Sequence, residues 1–224
     1  MKILAIETAT EACSAALDIN DSCSHRFEIA PRRHTELILP MIDELLREAD
    51  IQISDLDAIA FGRGPGAFTG VRIAVGVIQG LAFAHNIPVI PVSTLAALAQ
   101  LFAKEHNYVA SAIDARMQEI YWGLYKKNDL GFMQLITEEK VCSPDDVSTP
   151  SEGEGEWFGA GSGWGSYSET LQSRFNSNLA GFNGDIFPTA EAIMELAKPA
   201  YLEGKVIPVE EAAPVYLRNK VVDN

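Results

Sequence analysis

The chain has 224 residues, of which 47% are apolar and 21% are charged, so it can bury a sizeable core in one large domain or two small ones. Its 17 basic and 31 acidic residues give a formal net charge of −14. A field of that sign repels phosphate backbones and argues against stand-alone binding to nucleic acid. The three cysteines offer neither a disulfide framework nor a C-x-x-C metal pattern.

The first part of the chain predicts three strands followed by alternating helices and strands. Glu7 interrupts the apolar run at the amino terminus, so we expect neither a signal peptide nor a membrane span, and a cytoplasmic protein. Pro40 is expected to kink or interrupt the first helix. The predicted strands are 2–7, 13–20, 22–30, 56–62 and 88–92, and the predicted helices are 34–50, 69–85 and 94–105.

The same order of elements then starts again in the second part of the chain. The predicted strands are 108–114, 118–126, 133–142 and 156–160, the predicted helices are 166–175 and 190–203, and 143–156 is a polar surface loop with one helical turn. Two copies of this order predict a duplicated α/β architecture with mixed sheets. The expected lobes are 1–105 and 106–224, with the last segment packing back on the first lobe.

The stretch GRGPGAFTGVRI, residues 62–73, resembles a phosphate-binding loop but lacks its chemistry. Such a loop needs successive backbone N–H groups and usually a lysine. Pro65 removes one of those N–H groups, and no G-K-[ST] follows. The acidic residue that completes a dinucleotide fingerprint is missing near position 83. The pattern therefore argues against a nucleotide loop.

The helix after these glycines carries no charge from Ile73 to Ala84, where Gln79 is the one polar residue. A helix that is apolar all round must be covered on more than one side. Small residues form two rows along it, Gly66, Gly70 and Ala74 in one and Gly76, Gly80 and Ala84 in the other. The first helix likewise carries two apolar stripes, Leu37, Met41 and Leu45 in one and Ile38, Ile42 and Leu46 in the other. Spacing alone leaves a tightly packed core helix and an interface helix equally open.

Several segments together resemble the bacterial TsaB (YeaZ) family. They are ILAIETAT at the start, RRHTELILPMI, GRGPGAFTGVRIAVGVIQGLA, PVSTLAALA, IDARMQEIYWGLY and PVYLR near the end. The match runs in order over residues 1 to about 126, and its most specific part is GPGAFTGVRI together with DARMQEIY. Residues 128–200 carry little of the resemblance beyond GAGSGWGSY.

The resemblance implies an actin-like ATPase (ASKHA) fold built from two ribonuclease-H-like lobes. In this family TsaB pairs with TsaD, which transfers a threonylcarbamoyl group to adenosine 37 of ANN-decoding tRNAs and so forms t6A. TsaE, a P-loop ATPase, joins the pair, and TsaC makes the threonylcarbamoyl-adenylate. The implied role is a non-catalytic subunit with no cofactor of its own, whose partners use ATP and which meets tRNA only through the complex.

Family members use the two helices of the first lobe, here about 34–49 and 69–85, for homodimers and for pairing with TsaD. The resemblance favours the interface interpretation of the charge-free helix. The residues expected at this surface are His34, Leu37, Ile38, Met41 and Leu45 from the first helix and Phe68, Thr69, Arg72, Val75, Gly76 and Gln79 from the second. Arg72 is alternatively a structural cation beside Asp57 or Glu7.

TsaD-type enzymes carry a V-N-H-x-E-[GA]-H metal motif, and residues 92–98 of this chain read VSTLAAL instead. Thr94 and Leu98 stand where the two imidazole ligands would be, so we expect no metal site there. The alternative function is an actin-like ATPase or kinase with its own nucleotide site. Its weak candidate residues are Glu7, Asp114, Gly161 and Gly163, although the two glycines are more typical of a strand-to-helix turn.

Overall fold

The computed structural model describes residues 1–149, 155–175 and 178–218, and two mixed β-sheets form its framework. Two compact units contain these sheets. Unit 1 consists of Met1–Ala97 and Pro188–Val215, and unit 2 consists of Leu98–Phe187 and residues 216–218. The lobe limits inferred from the sequence, 1–105 and 106–224, stay a prediction. In the part of the chain that the structure describes, no helix is long and apolar enough to cross a membrane.

Unit 1 contains a five-stranded sheet in the order β3-β2-β1-β4-β5. Its strands are β1 Lys2–Glu7, β2 Ala12–Ile19, β3 Ser22–Ile29, β4 Ala58–Gly62 and β5 Val89–Val92. Its helices are α1 His34–Glu48, α2 Phe68–Phe83 and α6 Ala190–Leu202, and α3 Thr94–Gln100 begins in it. β1 pairs antiparallel with β2 and parallel with β4, because the chain returns through helices only after the β1–β2–β3 meander.

Unit 2 contains a sheet in the order β11-β10-β6-β7-β8, with β9 also paired to β7. Its strands are β6 Tyr108–Arg116, β7 Glu119–Lys127, β8 Met133–Leu135, β9 Lys140–Cys142, β10 Trp157–Ala160 and β11 Leu179–Asn183. Its further helices are α4 Ser162–Ser166 and α5 Ser168–Phe175. β6 pairs antiparallel with β7 and parallel with β10, the same arrangement that β1 makes with β2 and β4. The predicted duplication of a mixed α/β unit is therefore confirmed.

Two predicted elements of unit 2 differ from the structure, and one strand of unit 2 was not predicted. The predicted strand 133–142 is two short strands, because four residues, 136–139, lie opposite only Gly123 and Leu124 of β7 and cannot all pair with it. The predicted helix 166–175 is two helices, and the first starts earlier because the buried Trp164 indole N–H donates to Ala110 O at 2.8 Å. The strand β11 was not predicted, since Gly181 interrupts its short pattern. Positions 150–154 of the predicted loop lie outside the described residues.

The predicted end of the third helix and the predicted interruption of the first helix also differ from the structure. The third helix ends at Gln100, not at 105, and the buried Gln100 side chain accepts the Met133 N–H at 2.9 Å. The first helix runs unbroken through Pro40, contrary to an interruption there. Pro40 is exposed, whereas Ile38 and Met41 on either side of it are buried in the core. The buried stripe thus holds the helix together across the missing hydrogen bond.

Each unit has its own apolar core. In unit 1, α1 and α2 bury side chains against one face of the sheet, where Leu4, Ile6 and Phe61 lie. Helix α6 packs on the other face, where its first N–H, that of Ala190, donates to Ser14 Oγ at 2.9 Å. In unit 2, three buried tryptophans surround Phe175. In unit 1, the sheet therefore covers one side of α2.

Candidate functional site

The glycines of the GRGPGAFTG stretch lie against the chain's own loop after β1. A Cβ atom on Gly62 would lie 2.0 Å from Glu7 Oε2, and one on Gly66 would lie 2.4 Å from Ala9 O. A Cβ atom on Gly70 would lie 2.1 Å from Thr8 O. No side chain fits at such distances, so these positions require glycine. The glycine pattern therefore reports close packing between two backbone segments of unit 1.

Hydrogen bonds join the same loop to the start of α2. The Ala67 N–H donates to Ala9 O at 2.7 Å, and the buried Thr8 hydroxyl donates to Gly70 O at 2.8 Å. The first bond supplies an acceptor to the N–H group of the N-cap residue, and the second bonds a carbonyl group in the first turn of α2. The loop after β1 consequently fixes where α2 begins and how it is oriented.

Glu7 is fully buried at the end of β1, and its carboxylate accepts hydrogen bonds from the loop. Its partners are the Ala9 N–H at 2.6 Å, the Thr94 hydroxyl at 3.2 Å and the Thr8 N–H. Burial raises the pKa of Glu7 from 4.5 to about 7, although all three hydrogen bonds favour the ionised form and lower it. The carboxylate therefore fills an interior position in which the backbone N–H groups already have their acceptor.

The residues predicted at the interface divide into an exposed set and a buried set, and their interface role stays a prediction. The exposed or half-buried residues are Leu37, Phe68, Thr69, Arg72, Gly76 and Gln79. The Arg72 guanidinium lies 3.5 Å from the centroid of the Phe68 ring, and Gln79 donates to Ala212 O at 3.1 Å. A Cβ atom on Gly76 would meet nothing within 4 Å.

The buried set consists of His34, Ile38, Met41, Leu45 and Val75. The last four belong to the core cluster of unit 1, and His34 Nε2 lies 3.2 Å from Ala12 O. These side chains support α1 and α2 from beneath. In the described chain they present almost no surface to a partner, because both apolar stripes of α1 pack in the core of unit 1.

The predicted interface set omits three exposed residues of the same two helices, one of them from the second row of small residues. Leu39, Phe83 and Gly80 are exposed, with Leu39 at 51% and Phe83 at 64% of their possible surface. A Cβ atom on Gly80, like one on Gly76, would meet nothing within 4 Å. Phe83 lies one residue before the end of the charge-free run, so the length of that run was the available signal. We call the exposed set Leu39, Phe68, Arg72, Gly76, Gly80 and Phe83 the α1/α2 surface.

The nucleotide candidates of unit 2 lie together. The Asp114 N–H donates to Ser162 Oγ at 3.1 Å, and its carboxylate accepts from the Arg116 N–H and guanidinium at 2.8 and 2.9 Å. Cβ atoms on Gly161 and Gly163 would lie 2.4 Å from Ala112 O and 2.7 Å from Ala112 Cβ. The two glycines are thus required by packing on β6. The expectation that the chain has no cofactor of its own stays a prediction.

The positions that correspond to the TsaD metal ligands are occupied by packed side chains. Thr94 is buried with its hydroxyl on Glu7, and Leu98 is buried so close to Gly161 that a Cβ atom there would lie 2.4 Å from Leu98 Cδ2. Among residues 1–149, 155–175 and 178–218, no group of three or more His, Cys, Asp or Glu side chains could hold a metal ion.

The glycine contacts predict opposite effects for two Gly→Ala variants of α2. Gly70→Ala forces a methyl group into Thr8 O and should destabilise the protein by about 2 kcal/mol or more, as overpacking does. Gly80→Ala, its control, adds a methyl group in open space and should stabilise by up to about 1 kcal/mol through helix propensity. Urea unfolding followed by circular dichroism measures both, and equal effects would contradict this account.

The raised pKa of Glu7 predicts a pH-dependent component of stability. The folded state holds the proton up to about pH 7 and the unfolded state only to about pH 4.5, so this component is present at low pH and is lost as the pH rises between these values. Relative to Glu7→Gln, the wild type should lose about 3 kcal/mol across that window. Denaturant unfolding at several pH values tests it, and parallel curves for the two proteins would refute the assignment.

A family model and two known proteins are similar to this chain over most of its length. Residues 27–219 match a family model described as TsaD: tRNA N6-adenosine threonylcarbamoyltransferase. The chain is similar to tRNA threonylcarbamoyladenosine biosynthesis protein TsaB of Escherichia coli (strain K12), with 42% identity over 99% of this chain and 96% of that protein. TsaB of Haemophilus influenzae is 43% identical over 99% of this chain and 95% of its own length.

The chain also resembles a solved structure in both fold and sequence. YeaZ from Pseudomonas aeruginosa has a TM-score of 0.89 and 47% identity, covering 96% of this chain and 99% of that chain. The predicted actin-like α/β fold class, with mixed sheets flanked by helices, is thereby confirmed. Identity at this level over nearly the full length, on the same fold, means that the chain belongs to the TsaB (YeaZ) family of tRNA threonylcarbamoyladenosine biosynthesis proteins.

Proposed function

We propose that this protein is a non-catalytic subunit of t6A biosynthesis that pairs with TsaD through the α1/α2 surface. The observation that carries the proposal is the pair of glycines, Gly76 and Gly80, on the solvent side of α2. Each costs about 1 kcal/mol relative to alanine inside a helix. The chain's own packing requires neither of them, because an added methyl group would meet nothing. A partner backbone that packs closely against α2 would require both.

The residues around these glycines have the composition of a protein interface. Phe68 and Phe83 lie at the two ends of α2 with 48% and 64% of their surface exposed, and Leu39 adds an exposed apolar side chain from α1. Arg72 stacks on Phe68 and presents the type of cationic group that is enriched at interface centres. The strip contains one arginine, Arg72, and no acidic residue occurs between positions 73 and 84. Such an apolar strip favours burial against a protein partner over exposure to water.

The packing of three residues supports the non-catalytic assignment. Thr94 and Leu98 occupy the positions of two TsaD metal ligands, and neither side chain type binds a catalytic metal as imidazole does. Glu7, the acid that an actin-like ATPase would need near the phosphates, is buried with its oxygens engaged by Ala9 and Thr94. A function in partner binding therefore fits these residues better than an ATPase or kinase activity of the chain itself.

The proposed complex also contains TsaE, which joins the TsaB–TsaD pair in the cytoplasm. The partners, not this chain, use ATP. With a net charge of −14 the chain meets tRNA only within the complex, where a partner supplies basic surface. Homodimers use the same α1/α2 surface as the pairing with TsaD, so the two assemblies exclude each other. A homodimer that persists within a saturated TsaD complex would contradict this exclusion.

The proposal predicts that a large charged side chain on α2 abolishes pairing without unfolding the chain. Gly76→Arg places a guanidinium where a partner backbone should pack, so affinity for TsaD of the same organism should fall at least about 100-fold, as for an interface hot spot. Gln172→Arg on the exposed side of α5 adds the same charge in unit 2 and should bind like the wild type.

Isothermal titration with purified TsaD measures these affinities, and circular dichroism checks that both variants are folded. Unchanged affinity of folded Gly76→Arg would show that α2 is not the contact. A parallel titration of the isolated chain with Mg-ATP separates the two functional hypotheses. Tight binding of Mg-ATP would favour an ATPase over a non-catalytic subunit.

A further inference from the structure

We propose that Glu7 is a positioning residue for partner docking, whose buried carboxylate orders residues 8–10 and, through them, the first turn of α2. This inference rests on the proposed function, since it assumes that the α1/α2 surface receives TsaD. It gives a buried core residue an effect on partner binding at the surface, and it assigns Glu7 a role other than nucleotide binding.

A short hydrogen-bonded path leads from Glu7 to the surface. The carboxylate accepts the Ala9 N–H at 2.6 Å, and Ala9 O in turn accepts the Ala67 N–H at 2.7 Å. The next residue, Phe68, is the first residue of α2 and belongs to the α1/α2 surface, where Arg72 stacks on its ring. Only two hydrogen bonds therefore separate the buried carboxylate from an exposed aromatic residue of the proposed interface.

Close packing makes this path stiff. Gly62, Gly66 and Gly70 leave no space between the loop and the segment that leads into α2, with Gly62 in contact with the carboxylate itself. The Thr8 hydroxyl donates to Gly70 O at 2.8 Å within the same first turn of the helix. Since densely packed interiors transmit displacement and do not absorb it, a shift of residues 8–10 must move the start of α2.

Few ionisable side chains lie near the Glu7 carboxylate, so the charge at this position depends mainly on whether Glu7 itself is protonated. β1, β4 and α3 present no other ionisable side chain to it, and β2 presents Cys13, whose pKa rises to about 11 through burial and the charges of Glu28 and Glu7. Glu11, Arg63 and Arg72 are the ionisable residues in the adjoining loop, the glycine segment and α2. Among the described residues, none of them contributes to the pKa of Glu7, which burial raises to about 7.

Protonation should therefore loosen the path near neutral pH. The ionised carboxylate accepts from Ala9, Thr8 and Thr94 together. A proton on one oxygen removes the charge that strengthens these bonds and turns one acceptor into a donor. The first turn of α2 is then less firmly placed, so affinity for TsaD should fall as the pH is lowered.

The test is the pH profile of TsaD binding by the full-length chain. Wild-type affinity should fall at least about fivefold between about pH 8 and about pH 6. Glu7→Gln is nearly isosteric and cannot ionise, so it should bind throughout with the weaker affinity of the protonated form. Glu169→Gln, an exposed carboxylate of α5 in unit 2, is the control and should follow the wild type. Titratable groups of TsaD affect all three proteins alike, and the difference between variants isolates Glu7.

Thr94→Val supplies a second, independent variant. It removes one hydrogen bond that favours ionised Glu7, so the midpoint of the binding profile should move to higher pH. Identical profiles for wild type and Glu7→Gln, or an unmoved midpoint in Thr94→Val if Glu7→Gln does not fold, would overturn the inference. Absence of TsaD binding by the wild type at every pH would instead contradict the proposed function.

Discussion

The contact between the loop after β1 and the glycine segment before α2 is the constraint on which unit 1 depends. Glu7 closes the end of β1, and its carboxylate occupies the space that a side chain at Gly62 would need. The carbonyl groups of Ala9 and Thr8 occupy the space that side chains at Gly66 and Gly70 would need. The helix that follows can begin only where these contacts allow. An apolar face of α2 then packs on the sheet, and its small-residue face is left at the surface.

This arrangement explains why a sequence that resembles a phosphate loop does not have to bind phosphate. In a nucleotide loop the glycines let a ligand approach backbone N–H groups. Here they let another part of the same chain approach, and the anion that accepts the Ala9 N–H is the carboxylate of Glu7. The two situations require the same residue type, so the glycine spacing alone could not separate them. The proline at position 65 and the missing lysine were the informative differences.

Periodicity predicted most of the framework because the strands and helices of both units are patterned by burial. It failed where a tertiary contact decided the outcome. Gln100 ends α3 by bonding Met133, and Trp164 starts α4 by bonding Ala110. Both apolar stripes of α1 pack in the core, whereas Leu39, which belongs to neither stripe, is exposed, so only the structure could show which apolar side chain of α1 a partner can reach. The sequence patterns therefore predicted the two helices, whereas the exposure of their individual residues came from the structure, and the interface role stays a prediction.

The central claim is that this chain supports t6A formation through the α1/α2 surface, and nucleoside mass spectrometry of bulk tRNA tests it most directly. The measurement compares cells depleted of the protein with cells supplied with the wild type or with Gly76→Arg. The account predicts that t6A falls on depletion while other modified nucleosides hold, and that only the wild type restores it. Unchanged t6A on depletion, or full restoration by Gly76→Arg, would contradict the account.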